Sequence, residues 1–460
     1  MKTIAWLSLA RAIYAAVSAI TFFYVVARLQ ISEYGVYSIC SSVYIIHEFC
    51  LREGLENSIL KSNINTASIN HHSNILILKW LAVLITSSTA LYFLSTPGFV
   101  NEYGAMLLAC LFISALQLPA TKHRALALKN GRGPLLAISS ILAGAGSCAV
   151  AITSISYNLG IFALITQQIS YQIISIFVFL LLSPAQNINL GRESIEPDDI
   201  SKDTIALLPA TLLTALSNRA DILTLGYFFN AEAVGIYSVI KRLFQIYIDI
   251  LGSPLEKLSF LKKGNENFYL RLSGLYFVLM YIFFVLFYGL KEILNNYLIK
   301  TNMELYTSSF IAQVLIILII SSATNTAKSK LITADRISGL TKIKFFELLT
   351  WAAMLITASL TTLQWFLTAL IFRSLLSYCI ISLYSFQKTS FKTILKQLTI
   401  LFCSIALSYF LINYFTPLPS SNFTDQFTNA IQGILIAMLI PTLAFAAIAT
   451  RDYMTKKNTN

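Results

Sequence analysis

Charge, histidine and cysteine are all in short supply in this 460-residue chain, and each shortage removes a class of function. Asp, Glu, Lys and Arg together make up 12% of the residues, about half the share found in a soluble domain, so the chain lacks the polar surface to hold a fold of this size in water. The four histidines, His47, His71, His72 and His123, form neither a His-Glu-x-x-His pair nor a Ser-His-Asp set in an extramembrane segment, which sets aside zinc-hydrolase and serine-hydrolase chemistry. His71 and His72 sit in a short polar loop and read as exposed loop residues. No Gly-x-x-x-x-Gly-Lys-Ser/Thr run is present to cradle a nucleotide phosphate. The six cysteines, Cys40, Cys50, Cys110, Cys148, Cys379 and Cys403, fall inside apolar runs without metal-ligand spacing and read as small packing residues. The expectation is a protein that is not an enzyme, with no catalytic residue, metal or cofactor.

What the chain has instead is apolar sequence almost end to end, at 56% hydrophobic residues and a mean hydropathy of +0.70. A hydrocarbon core about 30 Å thick takes roughly 20 apolar residues per helix. The runs predict spans at Ile4–Ala27, Tyr34–Leu60, Ile75–Leu94, Ala105–Leu126, Leu135–Ile155, Ile161–Leu182, Thr204–Phe228 and Val234–Glu256. They continue at Leu272–Leu290, Tyr306–Thr326, Phe345–Leu363, Phe366–Phe386, Ile394–Tyr414 and Ile431–Thr450. The expected fold is therefore an all-α polytopic membrane protein of about 14 transmembrane helices; a barrel would show short alternating strands instead. The first run is read as a retained helix. Ala16-Val17-Ser18-Ala19 looks like a signal cleavage site, but Arg11 interrupts the apolar core that a signal peptide needs.

The net charge of +12 suggests nucleic acid until the cations are placed. They cluster in alternate loops: Lys122, Arg124, Lys129 and Arg132 after span four; Lys257, Lys262, Lys263 and Arg271 after span eight; Lys328, Lys330, Arg336, Lys342 and Lys344 after span ten; Lys388, Lys392 and Lys396 after span twelve; Arg451, Lys456 and Lys457 on the tail. About 24 of the 33 Lys and Arg fall on one side and about three (Arg28, Lys291, Lys300) on the other, the positive-inside pattern of a chain with both termini in the cytosol. The basicity is topological, and no nucleic-acid partner is expected.

An internal repeat organises the chain. Tyr34-Gly35-Val36-Tyr37-Ser38 returns as Val234-Gly235-Ile236-Tyr237-Ser238, Leu55-Glu56 as Leu255-Glu256, and each run ends on basic residues, Lys61 or Lys262-Lys263. A weaker echo links Leu126–Ile138 to Ile332–Ile343, each entering a fifth helix through a charged turn with Gly133 or Gly339. The longest polar stretch, Pro184 to Asp203, divides the copies. The reading is an N-lobe of six helices at residues 1–183, a cytoplasmic linker at 184–203, a C-lobe of six helices at 204–386, and two further helices with a cytoplasmic tail at 387–460. Two parallel helical lobes are the usual design of a transporter that rocks about a central site. Pro209, Pro254 and Pro441 lie inside spans, and Ala143-Gly144-Ala145-Gly146-Ser147 predicts close helix packing.

Ionisable residues inside spans are costly and tend to face a wet interior. Glu48, Arg52 and Glu56 recur every four residues in span two, flanked by His47 and Glu53. Arg242, Asp249 and Glu256 recur every seven residues in span eight, beside Lys241. Arg11, Arg219, Asp221 and Arg373 complete the set. Arg11, Arg52, Arg219 and Arg242 exceed what the carboxylates need for structural pairing, and guanidinium groups in a hydrated chamber suit a phosphate or diphosphate. Arg11, Arg52, Arg219, Lys241, Arg242 and Arg373 are the candidate substrate-binding cations. Glu48, Glu56, Asp221 and Asp249 are the candidate ion-coupling or charge-pairing acids, and H+ or Na+ is the expected coupling ion.

Arg28–Ser38 (RLQISEYGVYS), the acidic-glycine stretch His47–Leu60 and Asn218–Arg242 (NRADILTLGYFFNAEAVGIYSVIKR) resemble the polysaccharide and O-antigen flippases of the Wzx type, in the multidrug/oligosaccharidyl-lipid/polysaccharide (MOP) exporter superfamily. The resemblance implies two six-helix lobes around a cationic cavity. It implies movement of an undecaprenyl-diphosphate-linked oligosaccharide, as in O-antigen or lipopolysaccharide assembly, from the inner to the outer leaflet of a bacterial cytoplasmic (inner) membrane. It also implies alternating access, and the lipid-linked oligosaccharide, a polysaccharide polymerase and a chain-length regulator as partners. The acid-rich span two departs from the commoner pattern and leaves open whether Arg52 serves substrate or is neutralised by Glu48 and Glu56. The competing readings are a multidrug exporter, which would favour an acidic or aromatic pocket, a lipid II exporter with the same cationic chamber, a polymerase or ligase, which would need a larger outward loop than Thr416–Asn429, and a non-transporting membrane scaffold.

Overall fold

The computed structural model describes residues 2–61, 97–182, 199–248, 266–291, 308–333, 337–385, 388–415 and 434; at some helix ends, Arg11, Arg52 and Glu56 among them, it describes the backbone without the side chain. Twelve helices account for them: α1 (Lys2–Val26), α2 (Ile31–Lys61), α3 (Pro97–Lys129), α4 (Gly133–Ser156), α5 (Phe162–Leu182), α6 (Asp199–Phe228), α7 (Ala231–Tyr247), α8 (Glu266–Gly289), α9 (Ser308–Thr333), α10 (Ile337–Leu360), α11 (Leu363–Ser385) and α12 (Lys388–Phe415). They coincide with twelve of the fourteen expected spans. The third and fourteenth, Ile75–Leu94 and Ile431–Thr450, lie outside the described residues apart from Ile434, as do Asp249, Pro254, Glu256 and Pro441. No strand occurs among the described residues.

Six of these helices are long and apolar enough to cross a membrane: Gly104–Leu128, Gly133–Ser156, Phe162–Leu182, Tyr269–Gly289, Leu363–Ser385 and Lys392–Ile412. Their outer faces are apolar. On α5 the exposed residues Ile173, Phe177, Leu180 and Leu181 form one stripe, where a water-soluble helix would carry charge. In such surroundings lipid is as apolar as leucine, so helices are held together by close packing and hydrogen bonds. The packing within each of two compact units, Met1–Val239 with Lys344–Ser359 and Ile240–Ile343 with Leu360–Asn460, shows both.

In the first unit α4 packs on α1 and α5, α3 on α2, α4 and α5, and α2 on α6. The small residues of α4 serve the first of these contacts. Ala143, Gly144, Ser147, Cys148 and Ala151 are its buried side, and a Cβ on Gly146 would reach within 2.6 Å of Ile174 Cδ1. Hydroxyl pairs tie the same helices, Ser139 to Ser175 at 3.3 Å and Ser154 to Thr166 at 3.0 Å. The α3–α4 turn is made by Gly131, at φ +66°, a left-handed conformation that costs glycine nothing; Gly133, the glycine expected in this turn, opens α4 instead.

The repeat motif has a physical role in this unit. The first turns of α2 and α7 are capped at matching positions, Glu33 Oε2 accepting from the Gln30 N–H at 3.0 Å and Asn230 Oδ1 from the Ala233 N–H at 2.7 Å. One turn later the backbones touch. A side chain on Gly35 would overlap the carbonyl oxygen of Ala231, and one on Gly235 would overlap that of Ile31.

In the second unit α8 packs on α9 and α12, and α9 and α12 each pack on α11. The core of α8 is aromatic, with Tyr276, Phe277, Phe284 and Tyr288 fully buried. Three side-chain contacts fasten α12 to it: Tyr281 Oη to Ser408 Oγ at 2.7 Å, Gln397 Nε2 donating to the Leu270 carbonyl at 3.3 Å, and Tyr288 against Tyr409 at 5.1 Å. The end of α7 belongs here, since Tyr247 Oη donates to the Leu279 carbonyl at 2.6 Å and Phe244 meets Phe283 edge-on at 4.9 Å.

Candidate functional site

The polar groups best defined by the fold lie along α6. Asp221 is 9% exposed. Its Oδ2 accepts a hydrogen bond from Tyr237 Oη of α7 at 2.5 Å, and its Oδ1 one from the N–H of Ile222 at 2.8 Å. Tyr237, the tyrosine of the second motif copy, is wholly buried, so the bond is shielded from water and joins two consecutive helices. Ser217 stands one turn earlier on the same face and donates to Glu347 Oε2 of α10 at 3.3 Å. Glu347 is 5% exposed while its neighbours Phe345, Phe346 and Leu349 are exposed, so α10 turns its one acid inward and its apolar residues outward. One face of α6 thus brings two buried carboxylates, Asp221 and Glu347, within about one helical turn of each other along the axis. Burying a carboxylate costs several kcal/mol unless hydrogen bonds or charge compensate it, and these hydroxyls supply part of that compensation.

Glu347 is absent from the sequence-derived set. It has no echo in the other repeat, and the sole signal in the sequence is one acid inside the apolar run Phe345-Phe346-Glu347-Leu348-Leu349.

The expected cations distribute as follows. Arg219 is half-buried on α6, two residues from both Ser217 and Asp221 and so on a different face from them. Lys241 and Arg242 are half-buried on α7, past the point where that helix enters the second unit, and Arg373 is half-buried on α11 of that unit. Arg373 precedes Ser374, whose hydroxyl lies 3.4 Å from that of Ser321. Arg11 is carried by α1, and Arg52 and Glu56 by α2. Because α2 packs on α6, the helices bearing Arg52 and Arg219 are neighbours. Glu48 is half-buried on α2, and His47 beside it donates from Nδ1 to the Val43 carbonyl at 2.9 Å.

Lys122 and Arg124, counted with the cytosolic cations although the expected span Ala105–Leu126 contains them, lie within α3, which runs on to Lys129, and Lys122 is only 8% exposed. Ala120, Ala125, Leu126 and Ala127 keep the buried side of the helix continuous through these cations.

Comparison with known proteins sets this arrangement in context. The profile of a family described as "Polysaccharide biosynthesis protein" matches residues 25–261, just over half of the chain and the whole stretch from the first motif copy through the second. No curated protein matches the sequence. Among solved structures, the lipid II flippase MurJ in an inward-closed conformation is similar at a TM-score of 0.66, with 12% identity over 98% of this chain and 99% of that one. An inward-facing multidrug resistance transporter of the MATE family, in the MOP superfamily, is similar at 0.58, with 12% identity over 82% of this chain and 95% of that one. A MOP superfamily transporter from Pyrococcus furiosus is similar at 0.56, with 12% identity over 85% and 96%. At such identities the likeness is one of fold, and it joins the described helices to a polytopic, all-helical membrane architecture. By its sequence, the chain belongs to the polysaccharide biosynthesis protein family, and it is built on the fold of the MOP superfamily.

Proposed function

We propose that this protein is a flippase that carries an undecaprenyl-diphosphate-linked oligosaccharide, the repeat unit of an O-antigen or related surface polysaccharide, from the inner to the outer leaflet of a bacterial cytoplasmic membrane. The observation that carries the reading is the coincidence in one chain of a polysaccharide-biosynthesis family match across residues 25–261 with the fold of MOP superfamily transporters. A membrane protein of glycan assembly that has a transporter fold has a substrate too polar to cross lipid unaided. The polyprenyl tail stays in hydrocarbon while the sugar-diphosphate head crosses in a hydrated chamber, which spares it the cost of entering the bilayer core.

In this reading Arg11, Arg52, Arg219, Lys241, Arg242 and Arg373 supply the positive lining for the diphosphate. Alternating access exposes that lining first to the cytosol, where both termini lie, and then to the outer face. Asp221, with Glu48, Glu56 and Asp249 as further candidates, exchanges the coupling H+ or Na+. Glu347 joins that set on the strength of its burial and its bond to Ser217. A polymerase and a chain-length regulator act on the product. The cationic inventory favours this cargo over the cationic drugs of a multidrug exporter, and the family match favours it over lipid II.

The test is deletion of the gene, followed by analysis of lipid-linked oligosaccharide and surface glycan. The expected result is accumulation of the lipid-linked repeat unit on the cytosolic leaflet with loss of surface polymer. Unchanged surface glycan in a strain without a second exporter refutes the assignment.

A further inference from the structure

Helices α8 and α12 together present an outward face with a basic end. Two side-chain hydrogen bonds set their register: Gln397 Nε2 donates to the Leu270 carbonyl at 3.3 Å, and Tyr281 Oη pairs with Ser408 Oγ at 2.7 Å. Each spans 127 residues, so the two helices run in the same direction. At 3.6 residues per turn, the exposed residues Arg271, Leu275 and Leu286 lie roughly 80–140° round α8 from this contact line, and Lys392, Lys396, Leu407 and Phe410 lie roughly 90–150° round α12 in the opposite sense. In parallel helices of one hand, opposite rotations from a shared contact point to the same side. The pair thus has one outward face that begins on cations and continues in apolar side chains.

The dimensions of this face are those of one membrane leaflet. Tyr269–Gly289 and Lys392–Ile412 are both long and apolar enough to cross a bilayer, and both start at the end that the loop cations assign to the cytosol. By the register of the two bonds Arg271 is level with Leu398, and so within about 3 Å of Lys396 along the axis. From Lys396 to Leu407 α12 rises about 16 Å, close to half of a hydrocarbon core about 30 Å thick. A molecule that fits here has an anionic group at the level of Arg271 and Lys396 and apolar chains along Leu275 and Leu407.

The cations are available to such a molecule. Lys122, Arg124, Lys241, Arg242 and Arg373 all engage other groups, whereas Arg271, Lys392 and Lys396 are exposed and, among the described residues, make no hydrogen bond or ion pair. Residues 348–424 hold no Asp or Glu, and between 256 and 271 the acids Glu256 and Glu266 stand against Lys257, Lys262, Lys263 and Arg271, so the acids nearby in sequence fall short of the cations. A guanidinium holds a phosphate bidentately, ammonium groups add charge, and the cytosolic leaflet carries the negative surface potential. We propose that Arg271, Lys392 and Lys396 form a site for the phosphate head group of an anionic phospholipid of the cytosolic leaflet, with its acyl chains along the outward face of α8 and α12. The site stands or falls apart from the flippase reading.

The test is the thermal midpoint of the full-length protein in detergent with added phosphatidylglycerol or phosphatidylcholine, together with counting of bound lipid by native mass spectrometry. Phosphatidylglycerol is expected to raise Tm more than the zwitterionic lipid and to stay bound. The triple variant Arg271→Gln, Lys392→Gln, Lys396→Gln is expected to keep the wild-type Tm without lipid and to bind phosphatidylglycerol about fivefold more weakly for each cation removed. Arg451→Gln, Lys456→Gln, Lys457→Gln removes the same charge from the tail and is expected to leave binding unchanged. Equal weakening by the two triple variants overturns the site, as does equal stabilisation of the wild type by the two lipids. Displacement of bound phosphatidylglycerol by undecaprenyl diphosphate at equal concentration assigns the face to a polyprenyl lipid and overturns the phospholipid reading. Should the first triple variant fail to accumulate, Arg271→Gln and Lys396→Gln decide singly: an about fivefold weaker response to phosphatidylglycerol in each supports the site, and a wild-type response overturns it.

Discussion

Gly35 and Gly235 hold each other's helices at backbone contact: a side chain on the first would overlap the carbonyl oxygen of Ala231, and one on the second that of Ile31. The relation is reciprocal in number as well as in space, because 35 and 235, and likewise 31 and 231, are related by the same repeat offset. Two copies of one motif have thus packed against each other about a local two-fold arrangement. In a free helix Gly→Ala is favourable by about 1 kcal/mol. Here Gly35→Ala and Gly235→Ala are each expected to destabilise the protein by about 1–3 kcal/mol, a reversal of sign visible as a lower Tm in detergent. An unchanged or raised Tm for both would remove the crossing.

Gly146→Ala is the matched comparison. Its added carbon would meet the flexible end of Ile174 at 2.6 Å rather than a backbone carbonyl, and a side-chain tip can rotate away at a cost of about 1 kcal/mol. The expected order of Tm loss is Gly35→Ala well above Gly146→Ala, measured side by side. An inverted order would show that α4 and α5, not α2 and α7, form the tighter seam.

How far the sequence foretold these features depends on whether a feature leaves a periodic trace. The repeat of Tyr34–Ser38 as Val234–Ser238 is visible in the sequence, but that the two copies cross at Gly35 and Gly235 is a property of the fold alone, because repeated motifs announce a shared local structure and not a mutual contact. The helices themselves follow from apolar run length, a one-dimensional property that needs no knowledge of neighbours. Glu347 left no such trace, since its value comes from the turn of α10 that buries it beside Ser217. Lys122 falls inside the expected span Ala105–Leu126, but its burial leaves no trace in hydropathy, which counts it simply as one of the cations near a span end. Asp221 is legible as an acid in a span, whereas its partner Tyr237 carries no sequence signal beyond its place in the repeat.

The second unit offers a test of whether α12 is fastened to α8 or merely leans on it. Tyr281→Phe removes the hydroxyl that bonds Ser408 at 2.7 Å and strands a buried serine oxygen. The expected loss is about 1–2 kcal/mol, and Tyr281→Phe combined with Ser408→Ala should cost little more than the first change alone. Additive losses in the Tm series would show that the two hydroxyls act independently.

The two acids along α6 make different demands on their surroundings, so charge and shape can be separated. Asp221→Asn removes the charge and keeps one acceptor, Oδ1 for the Ile222 N–H, while its amide N–H can donate to the Tyr237 hydroxyl in place of the bond now accepted by Oδ2; Tyr237→Phe keeps the charge and removes the donor. If Asp221 exchanges the coupling ion, Asp221→Asn should retain most of its Tm yet abolish gradient-dependent export of the lipid-linked glycan. Tyr237→Phe should do the reverse, losing about 1–3 kcal/mol of stability while export at permissive temperature persists. Glu347→Gln and Ser217→Ala form the parallel pair on α10 and α6, with the smaller stability effect expected because their bond is longer, 3.3 Å against 2.5 Å. Both neutralised variants exporting at the wild-type rate under an imposed gradient would assign these carboxylates to structure alone, since a coupling group cannot be made permanently neutral without cost to transport.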